Sequence, residues 1–264
     1  MIICWSATMS GSPLPTIVAS GMSHPRGDEV TFHHHSQGQL SIALQGTIRL
    51  QTESGWWLAT PGNGIWVPPG VPHRAVYAEQ SRLINLRFAG GFESQLPQLC
   101  TLVVASTLLT ELAKEALAIY ETGEADAQLE PISQLIHFQI RKHVLKVELF
   151  VAEGKDKRLR IITQLLREDP ACNKTLDQLA AQAFTSPRTL GRLFENETGM
   201  SFTRWRERLR MIGAVEKLVN GEPIIRVAGD MGYQSASSFT TAFTRIIGSP
   251  PARYLKATLG PDKS

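Results

Sequence analysis

Residues 175–194, TLDQLAAQAFTSPRTLGRLF, decide how this chain of 264 residues is read. Leu176, Leu179, Ala180, Ala183 and Phe184 recur at the spacing of one buried helix face. Thr175 can cap the first turn, and Gln178 three residues on completes a capping box. A second helix starts at once: Ser186 is its cap and Pro187 takes the first helical position, where a missing N–H costs nothing. Leu190, Leu193 and Phe194 form its buried side and leave Arg188, Thr189, Gly191 and Arg192 outside. Residues 224–248, IIRVAGDMGYQSASSFTTAFTRIIG, repeat that grammar. Gly232 ends one helix, Ser235 caps the next, Phe239, Ala242 and Phe243 face inward, and Ser237, Ser238 and Thr241 face out. The joining segment 201–219, SFTRWRERLRMIGAVEKLV, is one amphipathic helix roughly 28 Å long, close to the ~34 Å between successive major-groove faces of B-DNA. Two capped helix-turn-helix units on a basic spacer argue against an ordinary helical bundle and for a reader of double-stranded DNA.

Residues 158–255 resemble the DNA-binding domain of AraC/XylS-type transcription regulators, above all in the closing run GYQSASSFTTAFTRIIGSPPARYL from Gly232 to Leu255, with Tyr233 where the family usually has Phe. Arg188 and Arg192 lie one turn apart, and Arg pairs bidentately with guanine O6 and N7. The resemblance also implies base reading at Arg192, whereas Gly191 departs from the larger polar residue often found there. Ser237, Ser238 and Thr241 are short, so the first unit is expected to dominate specificity and the second to add backbone or shape readout.

Charge supports this division. Residues 1–153 hold nine Lys/Arg against thirteen Asp/Glu, net −4, and residues 154–264 hold eighteen against eleven, net +7. Lys174, Arg204, Arg206, Arg208, Arg210 and Arg245 are the expected phosphate contacts, which make affinity salt-dependent without choosing a sequence.

The N-terminal half is a different object. Between about residues 28 and 90, β-prone runs punctuated by Gly and Pro predict seven or more strands of a small barrel. Their spacing resembles the two cupin motifs. The first is His33-x-His35-x3-Gln39-x6-Gly46, with Gln39 where the family usually has Glu. The second is Gly62-x5-Pro68-x-Gly70-x2-His73-x3-Tyr77, with Tyr77 where Asn is usual. His33 and His35, two apart on a strand, are expected on one face, with the Pro68-Pro69-Gly70 turn delivering His73 opposite them. Three imidazoles and the Gln39 oxygen suit Zn, Ni, Fe or Mn. The alternative is that the histidines are hydrogen-bonded barrel residues or contact an organic effector.

A cupin joined to this DNA-binding domain resembles one-component regulators in which the barrel senses a small molecule or an ion. The expected fold is thus α+β in two domains: a cupin β-barrel followed by two helices, then an all-α tandem helix-turn-helix domain. Residues 1–24 are expected to be a mobile arm, 25–152 the sensor and dimerisation domain, and 157–258 the DNA-binding domain, with Glu153–Asp156 as linker. Helices are expected over about 106–122 and 131–151. Ile132, Leu135, Ile136, Ile140, Val144 and Val147 form one stripe of the second, with Phe138, Leu145 and Leu149 off it. A helix apolar on two sides needs two neighbours, so a homodimer is expected. RNA polymerase is a further expected partner. Cys4, Cys100 and Cys172 are scattered, so neither a disulfide framework nor a zinc finger is indicated, and free thiols fit a reducing cytoplasm. No signal peptide and no membrane helix is expected. The rival reading is a cupin metalloenzyme of dioxygenase or isomerase type fused to a DNA-binding domain. Gln39 and the lack of an evident general acid/base pair count against it, and the protein is expected not to be an enzyme.

Overall fold

The computed structural model describes residues 17–88, 95–123, 126–145 and 149–259. Among the described residues, ten strands form two five-stranded sheets that enclose the N-terminal core. One has the order β1 (Ile17–His24), β8 (Ser81–Phe88), β3 (Gly38–Gln45), β6 (Asn63–Val67) and β9 (Thr101–Val104). The other has the order β10 (Phe150–Ala152), β5 (Gly55–Ala59), β4 (Ile48–Thr52), β7 (His73–Val76) and β2 (Glu29–His33). Alternation sorts their side chains: Leu50, Ile65 and Leu102 fill the space between the sheets. Leu40, Ile42, Ile84 and Leu86 form the outer face of the first sheet and pack under α1 (Thr107–Thr122) and α2 (Asp126–Lys142).

Two expectations are corrected here. Residues 17–24 of the supposed mobile arm are strand β1, paired with β8 from Ile17↔Phe88 to His24↔Ser81, because Ile17 and Ala19 are apolar residues with a sheet to bury against. Residues 1–16, Cys4 included, lie outside the described residues. The second helix stops at Lys142 rather than 151. Beyond it Val144 bridges Val103 and Phe150–Ala152 pairs with β5, so these β-branched and apolar residues take extended backbone. Val147 lies outside the described residues.

The C-terminal half follows the caps. After α3 (Lys157–Glu168), α4 (Leu176–Gln182) opens with the full Thr175/Gln178 capping box. Helix α5 (Pro187–Thr198) starts under Ser186 with Pro at its first position. Helix α6 (Phe202–Val219), about 27 Å of rise, carries the second unit, α7 (Ile224–Asp230) and α8 (Ala236–Ile247), and α9 (Pro251–Leu259) closes the chain. Phe184 is the correction here: α4 ends two residues earlier, so the side chain counted onto its buried face sits in the turn at φ +51°, 95 % exposed.

The two halves share a core. The buried cluster inside the barrel continues into Met211, Val215, Phe239 and Phe243 of the helical domain. Trp205 of α6 donates its indole N–H to the carbonyl of Ala152 on β10 at 2.8 Å. Within the helical domain, Arg210 is the staple. It is 8 % exposed, and its guanidinium donates to Pro170 O at 2.8 Å, Cys172 O at 3.0 Å and Asn173 Oδ1 at 2.9 Å. Gly232 passes so close, at φ +77°, that a Cβ would sit 3.0 Å from Ala171 O and 3.1 Å from Arg210 Nη2. Arg210 thereby fixes the loop before the first helix-turn-helix against the turn of the second, and its expected phosphate role is withdrawn.

Two stability outcomes follow. Phe184→Gly removes a left-handed aromatic residue that packs on nothing, so urea unfolding should show a gain of about 1 kcal/mol. Arg210→Met strands buried carbonyls and should cost about 3 kcal/mol in the same assay.

Candidate functional site

On α5, Arg188 and Arg192 are exposed one turn apart, and neither makes a hydrogen bond or ion pair among the described residues. Thr189 is half-buried, its hydroxyl 2.9 Å from the Ser186 cap oxygen. Gly191 is corrected: its Cβ direction points at Leu176 Cδ2, 3.6 Å away, so it faces α4 rather than the outer side. On α8, Ser237, Ser238 and Thr241 are exposed, but Ser238 Oγ donates to Ser235 O at 2.9 Å and Thr241 Oγ1 to Ser237 O at 3.1 Å. The outward surface of the first unit thus offers two uncommitted guanidiniums, and that of the second offers hydroxyls largely tied to their own helix.

The basic residues of α6 do not form one set. Successive positions on a helix turn about 100°, so residues two apart lie on opposite sides, whereas residues four apart share a side. Arg204 is exposed. Arg208 is half-buried, with Nη1 3.8 Å from Met200 Sδ. Arg206 turns the same way as Arg210: it lies over the Phe202 ring at 4.6 Å and donates to Lys174 O at 2.9 Å, with Lys174 itself half-buried. Arg245 is exposed and paired with Glu207 at 2.9 Å.

In the barrel, His33, His35 and His73 come together, with one ring nitrogen of each within 4.8 Å of the others. His33 ends β2 and stands opposite His73 of β7 in the sheet register, with ring centroids 4.4 Å apart. His35 is not on the strand, as expected from sequence, but in the turn beyond it, where it still closes to 5.1 Å from His73. Every Nδ1 is engaged by a nearby carbonyl: His33 by Thr31 O at 2.9 Å, His35 by Gln37 O at 2.5 Å and His73 by Val71 O at 2.9 Å. Donation through Nδ1 fixes the tautomer in which Nε2 carries the lone pair. The Nε2 atoms of His35 and His73 are buried and have no hydrogen-bond partner. Burial lowers both pKa values, that of His73 to about 4, so these rings are neutral near pH 7. Gln39 sits beside His35, and its amide donates to Ser41 Oγ at 2.9 Å, which leaves the carbonyl oxygen available. This donor set fits a divalent transition ion: three imidazoles oriented by second hydrogen bonds, with the two buried lone pairs of His35 and His73 otherwise unsatisfied.

Sequence reasoning missed one feature of this half. Trp56 and Trp57 are adjacent on β5, so one of them has to face outward, and an outward Trp calls for a cover. That cover is the helical domain, and the doublet was the available signal.

A family model described as a helix-turn-helix domain matches residues 179–257, and one described as an AraC-like ligand binding domain matches residues 22–136. Over 234 residues the chain is 30% identical to the HTH-type transcriptional regulator NimR of Escherichia coli (strain K12), an alignment covering 88% of this chain and 85% of that protein. It is 25% identical over 244 residues to the uncharacterized HTH-type transcriptional regulator YobQ of Bacillus subtilis (strain 168), covering 88% and 90% respectively. Among solved structures, unsaturated fatty acid bound wild-type ToxT from Vibrio cholerae strain SCE256 aligns with a TM-score of 0.41 at 15% identity, over 97% of this chain and 100% of that one.

Proposed function

The chain belongs to the AraC-type HTH transcription regulators, with a ligand-binding N-terminal domain, and from that premise we propose how its residues divide the work. Double-stranded DNA is its partner, and Arg188 and Arg192 of α5 read base edges in the major groove. The observation that carries this is their shared exposure without an intramolecular partner on a capped helix. Arg204 and Arg245 contribute phosphate contacts from the exposed surface, joined by Lys174, Arg206 and Arg208 where their heads reach past their packing. Thr189, Ser237, Ser238 and Thr241 add contacts whose direction is set by the caps they serve.

The effector we assign to the barrel is a divalent transition metal, Zn, Ni, Fe or Mn, held by His33, His35 and His73 with Gln39 as the oxygen ligand. The carrying observation is the pair of buried Nε2 atoms without a partner, each worth about 1–3 kcal/mol if left so. A bound cation would satisfy them and draw β2 and β7 together through the His33 and His73 register. A homodimer is consistent with Leu135 and Phe138, 49 % and 55 % exposed on α2 beside the buried Ile136 and Ile140. Such an arrangement needs no catalysis. Among the described residues no helix is long and apolar enough to cross a membrane.

Fluorescence anisotropy on a duplex selected from a random pool, set against random duplex, tests the DNA roles. Arg192→Ala should cost about 1–3 kcal/mol on the selected duplex and relax it at one base pair. Arg204→Ala should weaken both duplexes alike and lower the salt slope by about 1. Equal losses on both duplexes for both variants would refute the division. Calorimetric titration of chelator-stripped protein with Zn²⁺, Ni²⁺, Mn²⁺ or Fe²⁺ should show one equivalent bound, abolished in His73→Ala and in the exposed variant His33→Ala. Absence of uptake, or uptake that survives both substitutions, would rule the metal out.

A further inference from the structure

The turns of the two helix-turn-helix units are built alike and differ in one residue. In the first, the N–H of Thr185 donates back to Ala180 O at 3.0 Å; in the second, that of Tyr233 donates back to Ala228 O at 2.9 Å. Each bond closes over a left-handed residue, the arrangement that commonly ends a helix on glycine. The second unit has that glycine, Gly232 at φ +77°. The first has Phe184 at φ +51°, and among the described residues no other non-glycine residue has a positive φ. A side chain in this conformation brings its Cβ against the following carbonyl oxygen. Phe184 recovers nothing by packing, for it is the most exposed large apolar residue among those described. A single exposed apolar side chain is ordinary, but one kept in a conformation that its own turn would give to glycine points to a contact outside the chain.

What lies beside it decides the partner. Ser186, two residues on, caps α5, and Arg188 and Arg192 stand exposed on the next two turns. Two peptide units span at most about 7 Å, so Phe184 sits at the lip of the surface that α5 presents, next to the end of a recognition helix that meets base edges. Thr185, Ser186 and Pro187 between them carry no charge. The apolar feature of the major groove is the thymine C5-methyl, and Phe is among the side chains that meet it. Guanidiniums and hydroxyls, all that the rest of this surface offers, recognise acceptors and leave that methyl unread.

We propose that Phe184 is a specificity-determining residue that packs on a thymine C5-methyl beside the bases read by Arg188 and Arg192. This rests on the reading of α5 as a recognition helix and adds an apolar contact to it. Glycine at 184 would relieve the turn and lose the contact. The second unit, with Gly232 in the matching place, has no such reader.

Fluorescence anisotropy on the duplex that the wild-type protein selects, with each thymine in turn replaced by deoxyuridine, tests this. Deoxyuridine removes one methyl and keeps the base pairing, so at one position next to the Arg188 and Arg192 contacts the wild type should bind about fourfold more weakly. Phe184→Gly should bind the thymine duplex at least fourfold more weakly than wild type, hold its affinity for random duplex, and be indifferent to deoxyuridine at that position. Phe184→Asn, which also tolerates the left-handed turn but carries an amide, should behave the same way, with urea unfolding checking that both variants fold. Deoxyuridine sensitivity that persists in both variants, or equal losses on selected and random duplex, would overturn the proposal. So would unchanged binding of both variants to the selected duplex; a fall in transcription alongside it would mark the ring as a protein contact instead. Arg192→Ala, measured in parallel, separates the two failures. If it loses selectivity while the Phe184 variants do not, this inference alone falls; if it keeps selectivity, the reading of α5 falls and takes the inference with it.

Discussion

Helix α6 is claimed from several sides at once, and this constraint organises the molecule. Trp205 and Leu209 enter the core of the first helix-turn-helix unit, Met211, Val215 and Leu218 that of the second, and Ile212 and Glu216 face the barrel. A helix so placed keeps little surface for solvent, so its polar residues need specific partners inside the protein. Arg210 finds them in the carbonyls of the 170–173 loop, and Glu216 in Arg49 and Thr47 across the domain boundary. An ion pair with one partner this buried adds little net stability, because desolvation offsets the attraction, but removing either member leaves an uncompensated group. Its contribution is to fix the register between the sensing sheet and the DNA-binding helices.

What could be read from the residues was what depends on neighbours in sequence. The Thr175–Gln178 box, the Ser186–Pro187 start and the Ser235 cap all act within one helical turn, and each stands where the pattern put it. The histidine spacing was legible for a related reason: one hairpin-like register carries His33 to His73, and His35 needs only a short turn to join them. What escaped depends on distant partners. Strand β1 exists because β8 is there to pair with it, and β10 because β5 has an open edge. The four arginines of α6 form one basic cluster in sequence, but a spacing of two carries alternate members to opposite sides of the helix, one pair of which is engaged inside the protein. Phe184 keeps the helical spacing but falls beyond the last turn of α4.

The barrel presents two chemically unlike environments on opposite sides of one sheet. Inside, the buried rings of His35 and His73 offer lone pairs; outside, guanidiniums and an indole offer hydrogens. Strand β7 contributes to both by alternation alone, so a displacement of its backbone is felt on either face. Close packing makes such a displacement a collective matter on the inner face, since the core between the sheets has no slack to absorb it.

Strand β10 belongs to two domains. Its backbone completes the edge of the second sheet, and the carbonyl of Ala152 accepts the Trp205 N–H from the other side, four residues before the cap of α3. The halves are therefore not interchangeable modules. A recombination point just ahead of α3 would hand the new partner a sensing domain whose last strand had been selected to fit another protein's tryptophan. A point ahead of β10 would leave the barrel with an open edge. Swapping sensors among regulators built this way has to carry the strand and its indole partner together.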